Sequence, residues 1–311
     1  TDKIDLERLL GKASKLGDIA LSVNVDGQMP KGKDITGSID GNIKSFSYNN
    51  YTFQNIQIDG LYNEHAIDAK VQYTDPLHGA LLVNFGLQQQ QDSLNIDLYA
   101  QADTVQLYGM HLLETMPNLI FSMRIDSHLA GKNVDDIVGH FAIDSIFIGN
   151  KNGSVNPDRI ELISKKVMDH QLITFSSGIV QAEIEGDIAL STLPQNLQYI
   201  ISKHLSNLPP LQTTRKRGAN NFAFQMQIDP LSDYTYLFGQ KWSIDDTTYL
   251  SGYINDHEEQ ELFEVNIQSN LIDFGKNSID SAAVHIHNFH DSITVNVNAI
   301  YQTPIDTTYL H

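Results

Sequence analysis

The chain has 311 residues, 41% of them hydrophobic, and a formal net charge of −18 from 38 acidic and 20 basic residues, a balance that argues against nucleic-acid binding through clustered Lys and Arg. It has no cysteine, so neither a disulfide framework nor a thiolate metal site is available, and no apolar run approaches the roughly 18 residues of a membrane-spanning helix. The first residue is Thr1 rather than Met, and the expectation is a slice of a longer protein from which any targeting segment has been cut away.

Residues 4–16, IDLERLLGKASKL, place Leu6, Leu9, Leu10, Ala13 and Leu16 on one stripe between a cap at Asp5 and a stop at Gly17, which predicts a short amphipathic helix. Ile19, Leu21, Val23 and Val25 then alternate with polar or small residues in a strand ended by Gly27, and a loop follows over 28–33. From Ile35 to Leu87 the dominant pattern is set: short alternating runs broken by Gly, Asn, Asp or Asp-Pro. Alternation puts Ile67, Ala69, Val71 and Tyr73 on one face and Asp68, Lys70 and Gln72 on the other. Turn residues at Asn49-Asn50, Asn63-Glu64 and Asp75-Pro76 predict consecutive antiparallel hairpins.

A polar turn is expected over 88–93, then a strand with Leu94, Ile96, Leu98 and Ala100 on its dry side. A helical turn is expected over 108–116, strands over 119–125 and 138–148, and a loop over 150–157. Strands resume at Ile160, Leu172 and Val180. Thr192 caps a second helix, with Leu193, Leu197, Ile200, Ile201 and Leu205 on its stripe and Pro209-Pro210 as its stop. Residues 209–221, with Arg215-Lys216-Arg217, read as a linker. Phe222, Phe224, Met226 and Ile228 share a dry strand face, a short helical stretch follows over 231–238, and hairpins resume. In the final strand Ile293, Val295, Val297 and Ala299 alternate with Ser292, Thr294, Asn296 and Asn298. The organisation expected is a first sheet segment, 1–208, ending in the helix at 192–207, then the linker and a second segment, 222–311, continuous with the first.

Little in this pattern carries chemistry. The carboxylates sit in turns and on wet faces, where no pair stands out as acid and base, and Asp135-Asp136 and Asp245-Asp246 lack calcium-loop spacing. His285, His287 and His290 are the one metal-like group, yet no nearby Cys or carboxylate completes a tetrahedral site, so they read as solvent-facing and no metal is assigned. No phosphate loop, dinucleotide fingerprint or nucleophile elbow is present. The sequence therefore points away from an enzyme, and to no cofactor.

The order of phrases resembles the TamB-like translocation and assembly module proteins of the AsmA-like group. The opening D-L-x-x-L-L-G runs into L-x-V-N-V-x-G between Asp5 and Gly27, and the phrase from Gly41 to Tyr62 precedes the Asp75-Pro76 turn. L-A-G-K-N-V-D-D-I-V-G, Leu129 to Gly139, is similar to that family's G-x-N-x-D-x-x-x-G phrase, and the runs Ser176 to Leu193 and Thr248 to Gly252 look like later parts of the same architecture. The resemblance implies a periplasmic protein anchored in the inner membrane, whose repeating β-groove carries phospholipid acyl chains towards the outer membrane. It also implies a BamA-family outer-membrane partner, met through parts of a longer chain not present in this sequence.

The fold expected is all-β: an elongated, curled antiparallel sheet of the β-taco or repeating β-groove kind, with two or three short helices. A meander of this many strands must curl, close or split. If it curls, its lining is expected from Ile19, Leu21, Val23, Val25, Ile67, Ala69, Val71, Leu94, Ile96, Leu98, Phe222, Phe224, Met226, Val295 and Val297. The alternatives are an adhesin-like scaffold with a closed core, and a carbohydrate-binding sandwich using Tyr48, Tyr51 and Tyr62 as a platform.

Overall fold

The structure is a computed structural model that describes residues 3–6, 15–28, 35–204, 220–256, 262–289 and 292–303, the side chains of 200–204 and 289 excepted. It is all-β: 19 strands form one long antiparallel sheet that does not close on itself, and two short helices are present among the described residues. No described helix is long and apolar enough to cross a membrane. The chain divides into two compact units, residues 1–132 with 139–159, and residues 133–138 with 160–311.

The first unit contains β1 (Ile4–Asp5), β2 (Leu16–Gln28), β3 (Thr36–Tyr48), β4 (Tyr51–Asn63), β5 (Ala66–Asp75), β6 (Gly79–Gln90), β7 (Ser93–Val105), β8 (Ile120–Gly131), β9 (Val138–Asn150) and β10 (Gly153–Val155). From β2 to β8 each strand pairs with the next in sequence. The turns explain this meander. Asn49 and Asn50 both have positive φ, 48° and 63°, the mirror-image turn whose twist matches that of the strands it joins. At the next turn the Asn63 side chain accepts the His65 N–H at 3.0 Å, and at the one after, Asp75 accepts the N–H groups of Leu77 and His78 at 2.8 and 3.0 Å.

The sequence reading needs correction at several places. Residues 4–5 are not helical: Ile4 and Asp5 pair with Ile19 and Asp18, and Leu16 already belongs to β2. The rest of that expected helix, 7–14, lies outside the described residues, as do residues 205–207 of the second expected helix, residues 209–219 of the expected linker, and His290. The last two residues of that linker, 220–221, are not loop: Asn220 is buried under hydrogen bonds to Asp256 and Asn221 opens a strand. The turn expected over 88–93 is shorter, because β6 continues to Gln90 and pairs it with Ser93. The loop expected over 150–157 contains β10, which folds back on β9. Over 108–116, where a helical turn is expected, the chain makes a run of turns, with the Met110 N–H donating to the Gln106 carbonyl at 3.2 Å and the His111 N–H to the Tyr108 carbonyl at 3.0 Å.

The second unit contains β11 (Ile160–Val167), β12 (His170–Ser176), β13 (Val180–Asp187), α1 (Leu193–His204), β14 (Asn221–Ile228), α2 (Ser232–Leu237), β15 (Ser243–Ile244), β16 (Thr248–Asn255), β17 (Leu262–Asp273), β18 (Ser278–Phe289) and β19 (Ser292–Gln302). Its ladder runs β11, β12, β13, β14, β16, β17, β18, β19. Pro194 sits in the first turn of α1, where a missing N–H costs nothing. Below that helix is a buried polar joint. The Asp256 carboxylate, 2% exposed, accepts the Asn220 N–H, Asn220 Nδ2 and Asn196 Nδ2, each at 2.7 Å, and Asn220 Oδ1 accepts the Ala189 N–H at 2.8 Å.

Candidate functional site: an apolar face along the sheet

Residues paired directly across an antiparallel ladder project from the same face, so the registers convert strand alternation into rows that run across the strands. In the first unit one row is Val25, Ile39, Gly60, Ala69, Phe85, Leu98 and Ser127, on β2 to β8. The adjacent row on that face is Val23, Gly41, Ile58, Val71, Val83, Ala100 and Ile125. Neither row contains a charge. The opposite face carries the charges: Asp40, Asp59, Lys70, Asn84, Tyr99 and Asp126 form one of its rows.

The second unit has the same arrangement. Leu162, Phe175, Ala182, Met226, Leu250, Ile267, Val284 and Val297 form a row across eight strands. Beside it run Ser164, Ile173, Ile184, Phe224, Gly252, Val265, Ile286 and Val295. The gap left by Gly252 is filled by the Phe224 ring, whose Cζ would lie 2.8 Å from a Cβ built there.

Of the residues expected to line a trough, Val25, Ala69 and Leu98 share one row and Val23 and Val71 the next. Ile67 and Ile96 meet through Leu87 in a third, and Leu94 pairs with Gln89 and Gly131. Ile19 and Leu21 flank a register shift, opposite Phe46 and Ile43. In the second unit Met226 shares a row with Val297, and Phe224 with Val295. Phe222 stands apart: it is 5% exposed and belongs to the packed interior. Sequence reasoning missed Ile58, Val83, Phe85, Leu250 and Val284, all of which alternate as clearly as the residues chosen; only the register shows that they join the same rows.

These rows are half-buried rather than sealed. Interior members such as Val71, Val83, Met226 and Ile267 have intermediate exposure, and the row ends are open, with Val25 at 74% and Val297 at 65%. One margin is covered in the first unit. There residues 106–119 cross the face as a strap, and Leu107 and Met110 pack on Tyr51, Phe53, Ile56, Tyr73, Ala102, Val105, Phe121 and Met123.

Beneath this strap lies the most organised titratable cluster of the unit. The Asp75 carboxylate accepts the hydroxyls of Tyr51 and, at 3.1 Å, Tyr73, besides the two turn N–H groups. His78 Nδ1 lies 3.0 Å from the Tyr51 hydroxyl and 3.3 Å from Asp75. Burial pushes the Asp75 carboxyl up, but the donors from Tyr51, Leu77, His78 and Tyr73 outweigh it and hold the group down at about 2. Burial, then the neighbouring Asp75, pushes the Tyr51 phenol up; burial and then Tyr51 do the same to Tyr73. The cluster pins a turn under the strap.

On the polar face of the first unit, a depression of ≈ 490 Å³ forms around Gly86, walled by Asp59, Lys70, Asp68, Asp97, Tyr99 and His128. His128 is 2.6 Å from Asp97, and His140 is 3.1 Å from Asp126. In the second unit His285 and His287 stack at 4.6 Å, and His285 lies 3.3 Å from Glu264. Among the described residues no group of three or more His, Asp or Glu is arranged to hold a metal ion.

Compared with protein-family models, with curated proteins and with solved structures, the chain matches none. The family resemblance rests on the sequence phrases alone.

Proposed function

We propose that the apolar rows are a trough that shields the acyl chains of phospholipid. The chain is then a periplasmic segment of a TamB-like bridge anchored in the inner membrane, serving lipid transport or outer-membrane protein assembly. The observation that carries this reading is the pair of adjacent, charge-free rows in each unit. A BamA-family partner belongs to the same reading, through other parts of the longer protein.

Size supports it. Strands lie about 4.8 Å apart, so the six intervals from β2 to β8 give a row of about 29 Å. That is close to the roughly 30 Å hydrocarbon thickness of a bilayer, or about two acyl chains end to end. Each Å² of apolar surface taken from water contributes about 25 cal/mol, so a chain is held without polar contacts and headgroup selectivity is weak.

The test is native mass spectrometry with lipid extraction, on protein purified from cells under mild conditions. Phospholipid is expected to co-purify, and to be lost from a folded variant carrying Val71→Asp and Val295→Asp. Protein free of lipid, prepared beside a control groove protein that keeps its own, would overturn the reading.

A further inference from the structure

The face of the second unit opposite its apolar rows holds a cavity of ≈ 560 Å³, within the roughly 300–1,000 Å³ of ordinary small-molecule sites. Two adjacent ladder rows wall it across β12, β13, β14 and β16. Gln181, Gln227 and Tyr249 stand in one, and Glu183, Gln225 and Ser251 in the other. Ala182 and Met226, between them in sequence, point to the apolar face and give only backbone to the cavity floor. Three strand intervals of about 4.8 Å make the floor about 14 Å long. Among the described residues lining the cavity, Glu183 is the one charged side chain, and its carboxylate already accepts Gln225 Nε2 at 3.2 Å. Gln181 Nε2 donates to the Ser177 carbonyl at 2.6 Å and Gln227 Nε2 to Asp229 at 2.9 Å, so both amide planes are set before any ligand arrives. Tyr249, on the strand that bounds the cavity, is 50% exposed.

We propose that this cavity binds a neutral oligosaccharide. Charge decides the class of ligand. A phosphate or carboxylate would find no Lys or Arg in the walls, and a cation would find only Glu183, already engaged by Gln225. An apolar ligand would take water from the amides and return no hydrogen bond. Sugar hydroxyls donate and accept, as the side-chain amides and the Ser251 hydroxyl do, and each wall residue can serve them in either sense. The half-exposed Tyr249 ring adds an apolar surface for the C–H face of a pyranose, with a hydroxyl at its tip. The platform expected from Tyr48, Tyr51 and Tyr62 is elsewhere, in the first unit, where the Tyr51 hydroxyl is bound to Asp75. The cavity and the apolar rows use opposite faces, so this binding does not depend on what the trough holds.

A glycan array probed with the full chain tests it, printed with glucan, chitin, mannan and galactan oligosaccharides beside acidic oligogalacturonates. Calorimetry then compares the best neutral glycan with an oligogalacturonate of equal length. A neutral glycan is expected to bind, and the acidic one to bind more weakly by about tenfold or more. Tyr249→Ala is expected to weaken binding of the neutral glycan by about tenfold, and Tyr249→Phe, which keeps the ring, to leave it within about twofold. Gln268→Ala alters the next residue of the Tyr249 row, on β17 and outside the cavity, and is also expected to leave it within about twofold. Tyr249 and Gln268 are exposed, and circular dichroism checks that each variant folds. An array on which no neutral glycan binds, oligogalacturonates that bind as tightly, or equal weakening by Tyr249→Ala and Gln268→Ala would each overturn the proposal.

Discussion

Gly109 lies so close to the imidazole of His78 that a Cβ built on the glycine would sit 2.1 Å from ring Cδ2 and 2.4 Å from Nε2. The contact joins the strap to the Asp75 turn, and the Gln106 N–H, donating to the His78 carbonyl at 3.1 Å, fastens the strap's start to the same residue. Gly109→Ala is expected to lift the strap, Met110 with it, off Tyr73 and Ala102. The predicted cost is about 1–3 kcal/mol, as for other overpacked sites, read as a lower midpoint in urea with increased binding of a hydrophobic dye. Adding His78→Ala removes the obstructing ring and is expected to recover part of the loss. An unchanged midpoint in Gly109→Ala would show that the strap does not need this close approach.

Asp75 supplies a pH dependence of definite sign. Its carboxyl is held at about 2 in the folded chain against an ordinary value of 3.8, so folding favours the ionised form. The resulting stability is whole above about pH 5, declines as the pH falls through the ordinary value towards 2, and is gone below both. At about 1.4 kcal/mol per pH unit it amounts to about 2 kcal/mol. Asp75→Asn is expected to lose that amount at pH 7 and to converge with the unaltered chain near pH 2. Parallel unfolding curves at both pH values would contradict this.

Much of the ladder was legible because its signals are local. Asn49-Asn50 and Asp75-Pro76 determine their turns by their own backbone preferences, and Ile67, Ala69, Val71 and Tyr73 share a face because a strand alternates. The failures have local ambiguity in common. Ile4 and Asp5 fit a helix start, but two residues cannot distinguish a period of 3.6 from one of 2, and pairing with Ile19 and Asp18 decides. Gln88 to Gln90 extend β6 because the ladder is built from backbone groups, whatever the side chain. Residues 108–116 carry their meaning at long range: Met110 is buried because the strap lies over Tyr73 and Ala102. The rows themselves need register, which alternation within one strand does not supply.

The joint under α1 gives a third prediction. Asp256 satisfies three N–H donors from Asn196 and Asn220, and all three residues are 2% exposed or less. Removing the acceptor leaves buried donors without partners, which costs far more than the net value of the bonds. Asp256→Ala is expected to lose about 3 kcal/mol or more in denaturant unfolding, at about 1–3 kcal/mol for each buried donor left without its acceptor. Asp256→Asn keeps one acceptor oxygen and is expected to lose less. Equal, small losses in both would show that the joint is hydrated.

The last prediction concerns the trough and uses two consecutive residues on opposite faces. Val71 stands between Ile58 and Val83 in a charge-free row, while Lys70 stands between Asp59 and Asn84 on the polar side. Val71→Asp places a charge under any bound acyl chain. If it keeps about 60 Å² of the ligand wet, it costs about 1.5 kcal/mol, or roughly tenfold in affinity for a fluorescent fatty acid. Because Val71 is only half-buried, its carboxylate reaches water and the fold is expected to survive, with a cooperative unfolding transition. Lys70→Asp changes charge by more but acts on the other face, and is expected to leave affinity within twofold. Val71→Leu, which keeps the surface apolar, is expected to do the same. Equal weakening by Lys70→Asp and Val71→Asp would mean that the probe answers to net charge rather than to the apolar face. Loss of folding in Val71→Asp alone would mean that the face is packed core.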